Sequence, residues 1–224
     1  MKHHPSNQIH PTAFIGENVI LGQNNYIGPN CYIVGDTEIG SDNRFEAFCS
    51  IGTIAEDYHT SVKTDGLFIG NNNIFREFTT INTGTVRSTI ISSNIKMLRG
   101  SHVGHDAIID KDVVLSCNVL IGGFAMVYKG ANLGLGAIVH QMTKIGHYTM
   151  VGMGAIVTKS SNIEPGGIYF GNPARYVRDN IVGLERHNIS EDEINRLREF
   201  FKNTKNNTNE FTSEESGGRI GPRH

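Results

Sequence analysis

An apolar residue returns at every sixth position through most of this chain, and few sequence features restrict a fold as tightly. From Met97 to Ile163 the chain divides into MLRGSH, VGHDAI, IDKDVV, LSCNVL, IGGFAM, VYKGAN, LGLGAI, VHQMTK, IGHYTM, VGMGAI and VTKSSN, each opening on an apolar side chain. An earlier run opens at Ile9, Ile15, Leu21, Ile27, Ile33, Ile39, Phe45 and Ile51, and the pattern returns at Ile69, Phe75 and Ile81. With Ile91 opening the block before Met97 and Ile163 closing the run, all 24 openers are apolar, whereas a chain that is 38% hydrophobic would supply about nine by chance. Two residues before each next opener stands a mostly small residue: Ala13, Val19, Asn25, Cys31, Thr37, Asn43 and Cys49 in the first run. One large and one small inward position per six describes a narrow prism of short strands, each turn burying its aliphatics on the turn below. Glycine often follows the opener, which is expected where a corner demands an unusual backbone angle.

Composition agrees with a solenoid. The 224 residues include 26 glycines, only 19% are charged, and there is no Trp, a profile of many short strands joined by tight corners. Two stretches break the period. The polar segment 52–68 is an excursion loop, and because Ile51 and Ile69 are three blocks of six apart the numerical phase survives it. The segment 83–90 shifts the phase by four. Loops thrown out of a compact repeat more often carry function than packing. Residues 1–178 therefore form the prism. The segment GGIYFGNPARYVR from Gly166 leaves the period, and its Asn-Pro marks a turn off the end. Within 179–202, Ser190 to Glu193 is a capping box followed by Ile194, Leu197 and Phe201 on one helical face, which predicts a short amphipathic helix. Residues 203–224 have little to bury and read as a disordered tail.

The net charge of -2 supplies no general attraction for nucleic acid or an anionic membrane. No apolar run reaches the roughly 18 residues of a membrane span, and MKHHPSNQIHP lacks a signal-peptide core, so the chain reads as cytoplasmic with no membrane insertion. Cys31, Cys49 and Cys117 fall inside repeat blocks without a CxxC pair, and read as reduced, buried small residues rather than a disulfide frame or a zinc site.

The HPTA start, the loop after SIG, IGNNNIFREFTTINTGT, SHVGHD, AIVHQM, and GNPAR with the later NIVGLERH together resemble the UDP-N-acetylglucosamine O-acyltransferase family that begins lipid A biosynthesis. The resemblance spans about residues 9 to 200, with Ile91 to Val157 matching in phase without a gap. It implies a left-handed parallel β-helix, an all-β solenoid with a short C-terminal α-helical region, assembled as a homotrimer with active sites between subunits. It also implies a lipopolysaccharide-pathway transferase whose co-substrates are an acyl carrier protein thioester and a UDP-linked amino sugar, with no permanently bound cofactor and no metal.

His105 matches the family's catalytic base, and an imidazole titrating near neutrality suits removal of a proton from a sugar hydroxyl attacking a thioester. By the same resemblance Asp106 orients that imidazole and Gly123 supplies a backbone N–H to the oxyanion. His102 and His140 match positions lining the cleft, Asp57 a residue that binds the acceptor sugar, and Asn180 and Arg186 residues near the nucleotide diphosphate. Departures concern the acceptor. His59 stands where the family has lysine, Asn82 and Phe124 replace histidines, and Val182 and His187 replace an acidic residue and a second arginine. The acceptor sugar, and acylation at oxygen or nitrogen, therefore stay open. The C-terminal region is also shorter than the family's helical domain. Met153 falls where the family measures acyl length with a small glycine, and a methionine there implies a short or medium acyl group.

Three other readings compete. Acetyl-CoA-dependent nucleotide-sugar acetyltransferases share the repeat and often a GNPA turn like Gly171 to Ala174, with acyl-CoA as the donor. The γ-type carbonic anhydrases need a histidine five residues after the one in the Gly-His step, where this chain has Asp110, and an upstream partner between His59 and His102, where it has none. A non-catalytic trimeric scaffold would make the histidines incidental.

Overall fold

The computed structural model describes residues 4–57 and 65–204. Three sheets, parallel apart from the last hairpin of the first, form the faces of a prism. Among the described residues the first face has ten strands, from Gln8–Ile9 to Arg175–Asp179, the second eight, from Phe14–Ile15 to Ile156–Val157, and the third seven, from Ile20–Leu21 to Lys144–Ile145. Successive strands of the chain occupy successive faces, so each turn pairs with the turn below in register, as Ile27 with Phe45 and Ile33 with Ile51. Every opener from Leu21 to Ile163 is buried. Ile9 is exposed and Ile15 only half-buried because the first turn has no turn beneath it. Phe45 and Phe75 stack at 4.5 Å in the interior, on two successive turns of the first face.

The small inward positions make vertical ladders at the corners. Asn7, Asn25, Asn43 and Asn73 lie one above another: each side-chain carbonyl accepts the backbone N–H of the residue above, ending at Ile95, and each amide donates to a carbonyl of the next turn. A buried amide is tolerated there because all its groups find partners. Above Asn73 the ladder gives way to Ile95, Val113 and Ala131, which need none.

Gly52, directly after Ile51, has the left-handed backbone that the sequence predicts, φ 76°, but the other glycines after the openers do not. Left-handed backbone falls three residues after the opener instead, at residues such as Asn24, Asp42, Asn94, Asp106 and Asp112. The glycines themselves let the next turn come close: a Cβ on Gly104 would stand 2.9 Å from the Gly123 nitrogen.

The first excursion spans 54–66, between strands Ser50–Thr53 and Leu67–Ile69, so it is shorter at both ends than the sequence reading. Ile39 pairs with Ile69 thirty residues on, where a regular turn takes eighteen; the loop adds twelve, two blocks, and this alone preserves the numerical phase. The second excursion, 83–88, makes its turn twenty-two residues long. An antiparallel bridge between Asp65 and Gly84 ties the bases of the two loops together.

Past Ile163 the prism closes with a hairpin of Gly167–Phe170 and Arg175–Asp179, the first strand still continuing the first face. The turn holds Asn172-Pro173 in cis. Two helices follow. The sequence reading missed α1 (Ile181–Arg186), which has no buried residues and hence no apolar period, although its cap Asn180 accepts from the Gly183 N–H. α2 (Glu191–Asn203) begins as expected at Ser190, whose hydroxyl accepts from the Glu193 N–H, but it ends one residue later than the expected helical region. Ile194 and Phe201 are buried while Leu197 is half-buried; Phe201 joins Ile108, Met126 and Tyr128 on the outside of the third face. Asn203 and Thr204 are thus an ordered helix end, and 205–224, where the disordered tail was expected, lies outside the described residues. Cys31 and Cys49 are buried free thiols as read, but Cys117 is only half-buried because it precedes a corner rather than an inward position.

Candidate active site

At the corner between the second and third faces, Val103 turns inward, Gly104 lets the next turn approach, and His105 is forced outward. Asp106 follows in left-handed backbone, φ 59°, a conformation Asp accepts more readily than most residues. The His105 side chain is 13% exposed, outside the prism but largely enclosed. Its ring lies against Gly123 of the next turn, where a Cβ would come within 2.6 Å of Nε2. Phe124 meets the ring edge-on, at 5.3 Å and 87°. Any side chain at Gly123 would displace the imidazole.

His105 Nδ1 bonds Asp106 Oδ2 at 2.7 Å. With the carboxylate accepting there, Nδ1 carries the proton and Nε2 is left as the basic nitrogen. Asp106 itself is fully buried, and the second excursion folds over it. The Thr85 N–H and hydroxyl donate to Oδ2 at 2.9 and 2.8 Å, and the Val86 and Arg87 N–H groups donate to Oδ1, both at 2.8 Å. Burial opposes the charge, yet the donors from Arg87, Val86, His105 and Thr85 prevail and hold the carboxyl below the usual range. The Asp106 N–H donates to Thr89 Oγ1 at 2.8 Å, so the residue is fixed at both ends. These excursion donors belong to the candidate site, and sequence reasoning missed them, since a backbone N–H has no side-chain signature.

Gly122 donates its N–H to Val139 O and Phe124 donates its N–H to His105 O, each at 2.9 Å. Among the described residues the intervening Gly123 N–H donates to no backbone carbonyl, leaving a donor beside the imidazole.

His102 immediately precedes Val103 on the outward side of the second face, its Nδ1 2.8 Å from Thr80 Oγ1. Burial holds its pKa below the usual imidazole value; Glu56 of the first excursion pulls upward, and His105 adds to the depression. Asn82 is 2% exposed, its amide nitrogen donating to Thr53 Oγ1 and Ile54 O while its Oδ1 is buried without a partner. It anchors the start of the first excursion. Asp57 follows on the same loop and is engaged with a neighbouring group. His59 lies outside the described residues. His140 stands exposed at the same vertical corner, one turn above Gly122, its Nδ1 2.8 Å from Gln141 O.

The remaining candidates lie elsewhere on the single chain. Met153 is 66% exposed at the corner between the first and second faces, not in the core. Asn180 caps α1 and donates to Tyr148 O at 2.9 Å. With Arg186 it lines a groove of about 580 Å³ over the first face, together with Lys96, Asn132 and His187. One chain therefore gathers His102, His105, Asp106, Gly123 and His140 at one corner and places Met153, Asn180 and Arg186 on other sides. Among the described residues no three His, Cys, Asp or Glu side chains group as a metal site. No helix among them is long and apolar enough to cross a membrane.

A family model, bacterial transferase hexapeptide (six repeats), matches residues 18–53. An acyl-[acyl-carrier-protein]–UDP-N-acetylglucosamine O-acyltransferase of Gloeothece citriformis is 35% identical over 170 residues, covering 75% of this chain and 61% of the relative. One from Burkholderia orbicola is 34% identical over 173 residues, covering 73% and 63%. The solved UDP-N-acetylglucosamine acyltransferase of Campylobacter jejuni superposes with a TM-score of 0.70 at 27% identity, over 92% of this chain and 85% of that one. This is the fold of the UDP-N-acetylglucosamine O-acyltransferases. The sequence resembles theirs as well, although the chain spans only 61 to 63% of the curated relatives' length. The enzyme of Bacteroides fragilis, with a TM-score of 0.66 and 29% identity, covers 90% of this chain and 84% of its own.

Proposed function

We infer that the chain is an acyltransferase that moves an acyl group from an acyl carrier protein thioester to a hydroxyl, or an amine, of a UDP-linked amino sugar. The observation that carries this reading is the His105 imidazole, fixed through Nδ1 by a buried carboxylate and presenting Nε2 over Gly123. Nε2 takes the proton of the acceptor as its oxygen or nitrogen attacks the thioester carbonyl. The carbonyl oxygen becomes an oxyanion facing the Gly123 N–H, and the tetrahedral intermediate collapses by breaking the carbon–sulfur bond. The departing thiolate then takes the proton back from His105. The thioester supplies the activation, so the step needs neither metal nor resident cofactor.

Placement of Met153, Asn180 and Arg186 away from His105 supports a homotrimer, in which a neighbour's side meets this corner and completes the acceptor and acyl sites. Carrier protein and nucleotide sugar as co-substrates agree with the cytoplasmic location read from the sequence. Met153, exposed at its corner, stands where the resemblance puts the measure of acyl length, and there it limits the acyl chain to short or medium length.

The test is to incubate the protein with acyl carrier protein thioesters of graded chain length, and with acetyl-CoA, against a panel of UDP-sugars, and to identify products by mass spectrometry. Transfer from the carrier protein to a UDP-amino sugar is expected. Met153→Gly should shift the preferred chain upward; a wild-type product bearing a long 3-hydroxyacyl chain would refute the length reading. Thiol release with acetyl-CoA alone as donor would favour the acetyltransferase reading.

A further inference from the structure

The Arg87 side chain belongs to no part of the mechanism above, yet the residue touches both supports of the His105 ring. Its backbone N–H holds Asp106 Oδ1 at 2.8 Å. Its side chain then turns back, so that Nε donates to the Asp106 backbone carbonyl at 2.9 Å and Nη2 reaches the Phe124 carbonyl at 3.5 Å. The guanidinium carbon lies 5.7 Å from the centre of the Phe124 ring, the same ring that meets the imidazole edge-on. Burial lowers the Arg87 pKa, with the Asp106 charge opposing that, and an arginine so placed stays charged at neutral pH. The planar fork bridges two turns of the prism at the level of the catalytic corner. A lysine has no such fork, since its ammonium is a single point at the end of a flexible stem.

We propose that Arg87 is a positioning residue for acyl transfer, locking the second excursion onto Asp106 and Phe124 so that the His105 ring keeps one orientation over Gly123. This rests on the acyltransferase reading, and it adds a part that the SHVGHD segment does not contain. Loss of the fork leaves the Asp106–His105 bond possible but lets the loop and the Phe124 ring move, so the imidazole samples geometries in which Nε2 is misaimed. A misplacement on that scale lowers turnover without altering how substrates bind.

The test compares the wild-type protein with Arg87→Met, which keeps the apolar stem, and Arg87→Lys. Three quantities are measured: kcat and KM for the acyl carrier protein thioester and the UDP-amino sugar, thermal melting, and the low-field proton resonance of His105 Nδ1–H, assigned by its loss in His105→Ala. Arg87→Met is expected to lower kcat about tenfold with KM and melting little changed, and to shift or broaden the Nδ1–H resonance. Arg87→Lys should recover only part of the turnover. Unchanged kcat with an unmoved resonance would overturn the proposal while leaving the acyltransferase reading intact. A wild-type protein without transfer activity whose Nδ1–H resonance still moves in Arg87→Met would do the reverse, sinking the reaction and keeping the positioning role.

Discussion

Asp106 and Asp112 occupy successive corners of one turn, each three residues after a buried opener, with φ of 59° and 61°. Asp112 is half-exposed, and the Asn94 amide donates to its carboxylate at 3.1 Å, an ordinary rung on the outside of the prism. Asp106 is fully buried under five donors, with an imidazole as one of them. Corner geometry is thus a property of the scaffold and is the same at both. What differs is the second excursion, which inserts four residues beyond the regular turn and lays three backbone N–H groups over one carboxylate. The repeat makes the corners, and the insertion turns one of them into a site.

The two corners should differ most on substitution at Asp106 itself. Asp106→Asn presents an NH2 to groups that are all donors, and it removes the acceptor that fixes the His105 tautomer. Acyl transfer should fall by about 10³-fold, and denaturant unfolding should report a loss of about 2 kcal/mol from donors left unpaired. The pH dependence has a definite sign. Because the folded carboxyl is held below its unfolded value, its stabilisation is complete above the ordinary carboxylate range and is lost as pH falls through the depressed folded value. Asp106→Asn should flatten that acid limb of the stability curve.

Gly123→Ala is expected to follow, with turnover reduced by about 100-fold, because its methyl would occupy the space of the imidazole edge. The fold should persist, since the clash falls on a side chain that can rotate outward. The smallest effect belongs to Asp112→Asn, which should change unfolding free energy by less than about 0.5 kcal/mol and leave transfer intact. A large effect there would mean that the rungs carry stability generally, and that the Asp106 corner is unusual only in degree.

The prism itself was legible in the sequence because burial of one residue in six repeats with every strand, from Leu21 to Ile163. Its insertions were visible only as gaps. Ile51 and Ile69 look like members of one unbroken run, and only the pairing of Ile39 with Ile69 shows that the loop inserts two whole blocks. His105 stood out through its neighbours SHVGHD, whereas Thr85, Val86 and the backbone of Arg87 did not, since all but the Thr85 hydroxyl contribute through main-chain donors. Asn82 shows the opposite case: a polar residue at a position matched to acceptor binding, which the fold uses to anchor the first excursion while leaving its Oδ1 unpaired. α1 escaped notice because a six-residue helix with nothing buried has no apolar stripe to read.

In the proposed reaction the His105 imidazole takes the acceptor's proton while the thioester opens. The most direct measurement is the rate of product formation by purified His105→Ala and wild-type protein, with acyl carrier protein thioester and UDP-amino sugar, each protein's oligomeric state and melting being recorded in parallel. Transfer reduced by at least about 10³-fold in a protein that folds and assembles as the wild type does is the predicted result. A folded His105→Ala protein that turns over at near wild-type rate would contradict it.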